Sequence, residues 1–367
     1  MLLLQPEADI FLNYLIQNYH AIQTLAGSAK VMAVIKANAY GHEAIPVAQT
    51  LSDTGIHGFC VALGIEAEEL IDADIQKPIL HLGQISNDYM DLYKSGQVRC
   101  TINSVEDVTE LEKFTNQNKS VSAHLKIDTG MGRMGVRFEK TESIMKTLKG
   151  IPRIRVEGVY SHFSTAEEIE SRYQSWQLGR FNDVVKMAND ILPEPEYFHI
   201  ANSASILNCP DSHFNMIRPG ISLYGVSPLG LPHEKLKPVM KMKAPVVMVK
   251  NIKAGESVGY NRLFTAEKDE KIALLQAGYA DGIPLAFSNS GNVEINGSQY
   301  SVAGKVSMDL VAIRCKNGNI SEGDEAIFWG GDNNNIRVET LAKKYNKTPY
   351  EFLTGVSKRV VRNIINE

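Results

Sequence analysis

Val31-Met32-Ala33-Val34-Ile35-Lys36-Ala37-Asn38-Ala39-Tyr40-Gly41-His42 is the stretch around which the rest of the chain reads. Residues 31–35 form a short, unbroken apolar run with β-branched side chains, which predicts a strand buried on both faces. Lys36 ends the run. A lysine at the end of a buried strand is costly unless something holds it, so Lys36 either snorkels to solvent or serves chemistry. Small residues follow it, and Gly41 permits a tight turn.

Outward from this stretch, strands and helices alternate. A helix is expected over 12–25, where Leu12, Leu15, Ile16, Tyr19 and Ile22 fall at helical spacing. Further strands are expected at 58–62, 78–82, 98–102, 121–127, 154–162, 197–200 and 216–223. Helices are expected at 44–51, 65–73, 86–95, 104–116, 140–148, 166–188 and 203–207. Eight strands alternating with helices over about 225 residues imply a parallel sheet closed into a (β/α)8 barrel of TIM type.

The texture changes after Val226. Ser227-Pro228-Leu229-Gly230-Leu231-Pro232 reads as a linker. Beyond it, short β-branched segments at 244–250, 272–276, 292–295, 301–303, 310–314 and 325–328 alternate with turn signals such as Asn296-Gly297, Asn317-Gly318 and Gly330-Gly331-Asp332. One helix is expected at 338–345. The fold class is therefore α/β: a barrel domain at 1–230 and a smaller, mainly β domain at 231–367.

Composition narrows the function. The chain has 367 residues, 44% hydrophobic and 22% charged, enough for two ordinary cores. A net charge of −4 offers no basic surface for nucleic acid or an anionic membrane. Cys60, Cys100, Cys209 and Cys315 are scattered, with neither metal-ligand nor secreted-disulfide spacing. No metal site is expected, and the thiols read as reduced in a cytoplasmic protein. Residues 1–4 are too short and uncharged for a signal peptide, and no apolar run reaches transmembrane length.

In a barrel, chemistry collects where strands end. Lys36 ends the first strand. Lys126-Ile127-Asp128-Thr129-Gly130-Met131-Gly132-Arg133 ends the fifth, Tyr160-Ser161-His162-Phe163-Ser164 the sixth, and His199-Ile200-Ala201-Asn202-Ser203 the seventh. Ile217-Arg218-Pro219-Gly220-Ile221-Ser222-Leu223-Tyr224-Gly225 spans the eighth. The β domain adds Ser257-Val258-Gly259-Tyr260-Asn261, Ala277-Gly278-Tyr279-Ala280-Asp281-Gly282 and Val306-Ser307-Met308-Asp309. Each motif alone is weak. In this order, from Glu7-Ala8-Asp9 to Arg359, they resemble the alanine racemases, whose lysine carries pyridoxal 5'-phosphate as a Schiff base.

The resemblance implies a role for each position. Lys36 and Tyr260 are the two catalytic bases, one on each face of Cα, because one base cannot easily serve both faces. Tyr40, Asn202, Ser203 and the amides of Gly220 and Ile221 hold the cofactor, chiefly its phosphate. Arg218 faces the pyridine nitrogen. As a permanent cation it keeps that nitrogen unprotonated, which weakens the electron sink and favours racemisation over transamination. His162 lies beside the ring and assists the tyrosine. Arg133 reaches the substrate carboxylate, and the backbone amide of Met308 binds it too. Lys126 matches a lysine that some members carbamylate. The implied assembly is a homodimer with shared active sites, acting on L- and D-alanine as small-molecule substrates for peptidoglycan synthesis.

The pattern departs at Glu43, Gly259, Asn261, Ser307 and Lys358. Lys358 stands where well-known members have a tyrosine at the substrate, so a serine racemase is the nearest alternative. A decarboxylase of related fold would want a catalytic cysteine in the second domain, where Ser307 stands. A cofactor carrier built on a lone barrel would lack residues 240–367.

Overall fold

The computed structural model describes residues 5–115, 120–168, 170–316, 318–331 and 333–366. The leader question at residues 1–4, the end of the expected helix at Asn116, and the turn residues Asn317 and Asp332 lie outside them. The described chain divides into two compact units. One comprises Asn18–Ala39 and Ala44–Leu223; the other comprises Met1–Gln17, Tyr40–Glu43 and Tyr224–Glu367.

The first unit is a nearly closed parallel barrel. Its strands run side by side in the order Met216–Ile217, Lys30–Val34, Gly58–Val61, Ile79–His81, Val98–Ile102, Val121–Asp128, Ile154–Tyr160 and Tyr197–His199. The Arg218 N–H bridges the remaining seam by donating to the Ala201 carbonyl at 3.0 Å. All eight expected strands are present. The last is shorter than the pattern suggests, because residues 219–225 turn away beyond Ile217. Helices cover the outside, the longest being Arg172–Ile191. It begins later than the expected 166, at a cap where the Ser171 hydroxyl accepts the Gln174 N–H.

The barrel interior is partly polar. Tyr160 and His199 stack in parallel, with ring centroids 4.8 Å apart. The His199 and His124 rings share a hydrogen bond of 2.8 Å. Gly158 is required beside them, since a Cβ there would lie 2.5 Å from the His124 Nδ1.

The second unit is built on the long strand Met240–Ile252, which pairs with Glu325–Trp329, Glu270–Leu275 and Glu7–Phe11. The last partner differs from a division of the chain at 230. Glu7–Phe11 joins this sheet and also pairs in parallel with Val361–Ile365. Ala8 and Ile10 are buried on one face. On the other, Asp9 meets Lys243 at 2.8 Å and Lys241 at 3.1 Å. The single helix expected near the C-terminus is two, Val338–Lys344 and Pro349–Thr354. No helix among the described residues is long and apolar enough to cross a membrane.

Candidate active site

Lys36 lies one residue beyond the strand Lys30–Val34 and is half-buried. The chain then does something uncommon. Ala37, Asn38, Ala39, Tyr40 and Gly41 all have positive φ, between 52° and 83°. For the four non-glycine residues a left-handed conformation costs about 1–2 kcal/mol each. Side-chain clamps hold both ends of the turn. The Glu66 carboxylate accepts the Ala37 N–H at 2.6 Å, and the Asn38 carbonyl accepts the Ala44 N–H at 2.8 Å. Neither clamp was legible in the sequence, because Glu66 reads there as an ordinary helix glutamate.

Arg218, just past the strand Met216–Ile217, is buried and makes no ion pair among the described residues. Its guanidinium meets the His199 Nδ1, donates to the His199 carbonyl at 3.1 Å and to the Ser161 carbonyl at 2.8 Å, and lies 3.4 Å from the His162 Nδ1. Burial and then the Arg218 charge hold both imidazoles well below the ordinary histidine value, so both are neutral. Burial, then Arg133, lowers Lys36 as well, against the opposing charge of Glu66. Lys126 drops to about 8, through burial and then the charges of Arg133 and Arg218.

Four cations, Lys36, Lys126, Arg133 and Arg218, thus influence one another at one end of the barrel. None has a carboxylate at ion-pair distance among the described residues. Arg133 itself is exposed, on a loop folded by Asp128, whose carboxylate accepts the Gly130 and Gly132 amides at 3.0 Å.

Beside them is a cup of small donors. The Ser203 Oγ accepts the Gly220 N–H at 2.9 Å and the Ser222 N–H at 3.3 Å, and lies 3.1 Å from the Ser222 Oγ. Asn202 caps the helix Ser203–Asn208 reciprocally with Ser205. Its side chain is therefore engaged with the backbone. Ile221 is fully buried. Ser222, unassigned from the sequence, joins the cup. An anion with phosphate oxygens and a reactive carbonyl suits this donor set. Hydroxyls and amides would take the oxygens, cations without an ion-pair partner would take the charge, and a lysine with depressed basicity would take the carbonyl.

Tyr40, Tyr260 and Met308 belong to the other unit. Tyr40 is buried there, with its ring centroid 5.0 Å from that of Tyr224 and 5.8 Å from that of Tyr350. Tyr260 is 67% exposed and Met308 51%. Tyr260 sits on a tight loop with φ of +72° at Gly259 and +59° at Asn261. It shares a hollow of about 270 Å³ with Gly259, Lys305, Ser307 and Leu310. The Met308 loop is locked by the Tyr279 and Ala280 N–H groups, which donate to the Ser307 and Met308 carbonyls at 3.0 and 3.1 Å. Gly278 is required there, because a Cβ would clash with both carbonyls. Lys358 is exposed.

The chain is similar to known proteins over nearly its whole length. Residues 10–228 match the family model described as alanine racemase, N-terminal domain, and residues 239–364 match alanine racemase, C-terminal domain. The chain is 37% identical over 361 residues to an alanine racemase of Carboxydothermus hydrogenoformans, covering 97% of this chain and 98% of that one. The alanine racemase of Streptomyces lavendulae has a similar structure, with a TM-score of 0.94 at 30% identity, covering 99% and 97% of the two chains. That of Bartonella henselae, solved with covalently bound pyridoxal phosphate, gives 0.90 at 29% identity, covering 98% and 99%. With its two halves matched in order and nearly its whole length aligned, this chain belongs to the pyridoxal-phosphate-dependent alanine racemase family.

Proposed function

We propose that the chain interconverts L- and D-alanine with pyridoxal 5'-phosphate held covalently at Lys36. The observation that carries this reading is the group of Lys36, Lys126, Arg133 and Arg218, none of them ion-paired among the described residues, beside the Ser203–Gly220–Ser222 cup. When bound, the cofactor supplies an electron sink that acidifies the substrate Cα–H. Ser203, Ser222 and the amides of Gly220 and Ile221 hold the phosphate. Arg218, held rigidly by His199 and the Ser161 carbonyl, donates a hydrogen bond to the pyridine nitrogen and keeps a proton off it. Arg133 and the Met308 amide orient the substrate carboxylate. Lys36 moves the proton on one face of Cα and Tyr260 on the other.

Tyr260 is exposed on its own chain, which suits a residue that works in a partner's site. The reading therefore includes a homodimer in which residues 231–367 of each chain complete the barrel site of the other. It also includes a cytoplasmic role in supplying D-alanine for peptidoglycan, in keeping with four free cysteines. The test is turnover of L-alanine and L-serine by the purified chain, followed by optical rotation together with the visible absorption of the cofactor. Alanine is expected to exceed serine in kcat/KM. No rotation change with either amino acid, or no borohydride-sensitive band, would overturn the reading.

A further inference from the structure

Glu66 does more than cap a helix. One carboxylate oxygen accepts the Ala62 and Leu63 N–H groups at 2.8 and 3.0 Å, which any cap at the start of Gly64–Asp72 could do. The other oxygen accepts the Ala37 N–H at 2.6 Å, across 29 residues of chain. Ala37 is the first residue after Lys36 and the first of five with positive φ. Charge-assisted bonds to backbone amides are short and strong, so this one fixes the peptide joining Lys36 to the left-handed turn.

We propose that Glu66 is a positioning residue. By bridging the Ala62–Leu63 strand end to the Ala37 amide, it holds the left-handed turn and, through it, the Lys36 backbone in the orientation that retains the cofactor. This rests on the reading of Lys36 given above. Two substitutions separate this role from capping. A glutamine has a single carbonyl acceptor and cannot serve both amide groups. An aspartate can still reach Leu63, in its own helical turn, but is one methylene too short to span to Ala37 as well. A further substitution acts on the turn itself. Glycine takes positive φ readily, so Ala37→Gly, at an exposed position, removes part of the strain the clamp opposes.

The experiment holds the pyridoxal-phosphate-loaded enzyme against cofactor-free buffer. Samples are fixed with borohydride, and the fraction of Lys36 carrying the cofactor is read by mass spectrometry. Glu66→Gln and Glu66→Asp are each expected to lose cofactor about tenfold faster than the unsubstituted enzyme, a loss of about 1.4 kcal/mol. Their thermal midpoints should stay within a few degrees. Adding Ala37→Gly to either is expected to bring the loss rate back to within about threefold of the unsubstituted enzyme. Loss at the unsubstituted rate in both variants would overturn the proposal. So would faster loss that only tracks a lowered thermal midpoint and that Ala37→Gly does not reverse, which is the behaviour of a plain helix cap. If the unsubstituted enzyme carries no cofactor on Lys36, the reading of Lys36 fails first and takes this proposal with it.

Discussion

On the function proposed above, the barrel end and the Tyr260 surface supply complementary halves of one chemistry, and they are built differently. At the barrel end each functional group is locked by its own chain. Arg218 is buried on His199 and a backbone carbonyl, Ser203 is bonded to Gly220 and Ser222, and Lys36 leads into a clamped turn. In the β-rich unit the loops are fixed, by Gly259, Gly278 and the Tyr279 and Ala280 amides, yet the side chain of Tyr260 is two-thirds exposed. Preorganised groups in a desolvated setting supply electrostatic work. An exposed phenol on a rigid loop suits the shared site proposed above. On the proposed reading, the first half is complete within one chain and the second acts in a partner's site.

The largest expected effect is at the complete half. Lys36→Ala removes the covalent attachment point and one proton carrier together, so racemisation should fall by at least about 10⁴-fold, with loss of the borohydride-fixable band. Normal turnover in this variant would remove the barrel end from the chemistry altogether.

The comparison itself is tested by mixing. Tyr260→Phe should also be nearly inactive, by about 10³-fold. Lys36→Ala and Tyr260→Phe chains are exchanged and re-associated at equal amounts. If sites are shared in a two-fold dimer, half the dimers are mixed. One site in each mixed dimer carries both lesions, and the other carries none. About a quarter of full activity should then return. If both residues act from one chain, every site keeps a lesion and nothing returns after verified exchange.

A smaller effect is expected at Arg218. Arg218→Gln removes a buried permanent charge while leaving a polar group for His199. Racemisation should drop about 10–100-fold, and the share of turnovers lost to pyruvate should rise as the pyridine nitrogen gains a proton. An unchanged ratio of pyruvate to D-alanine would sink the electronic role, whatever happens to the rate.

How far the sequence foresaw these two halves follows from what each requires. The barrel was legible because parallel strands buried on both faces leave continuous apolar runs, as at Val31–Ile35. The strand Glu7–Phe11 was not, because its alternation of buried Ala8 and Ile10 with paired Glu7 and Asp9 makes sense only beside Lys241 and Lys243. Among the proposed site residues, Lys36, Arg218, Ser203 and Tyr260 stand in motifs that the sequence displays. The work of residues that act by holding others was not legible. Ser222 and His199 stand in quoted motifs, but their partners lie far off in the chain, and Glu66 lies in no motif; no local pattern marks a side chain whose work is to hold a distant group. Asn202 was legible in its motif, but the structure shows its side chain occupied by a helix cap.

The smallest expected effect probes whether the barrel end is held rigid from outside as well as within. The Arg133 loop passes under the first turns of the helix Arg172–Ile191. There the Tyr173 hydroxyl donates to the Gly130 carbonyl at 2.7 Å, and Trp176 packs so closely that a Cβ on Gly130 would lie 2.6 Å from its ring. Arg180 in turn stacks on Trp176, its guanidinium carbon 4.1 Å from the ring centroid. Among the described residues these side chains bond to neither Lys36 nor Arg218, so deleting one bond should leave proton transfer intact and loosen only the loop. Tyr173→Phe removes a neutral hydrogen bond worth about 1 kcal/mol. If Arg133 binds the carboxylate from a loop so held, KM for alanine should rise about 3–5-fold while kcat changes by less than about twofold. The bond is partly solvated, and water can replace the lost donor, which is why the effect should be small. A drop in kcat with KM unchanged would mean that the loop acts on the reacting centre instead. No change in either would mean that Asp128, through the Gly130 and Gly132 amides, holds the loop alone.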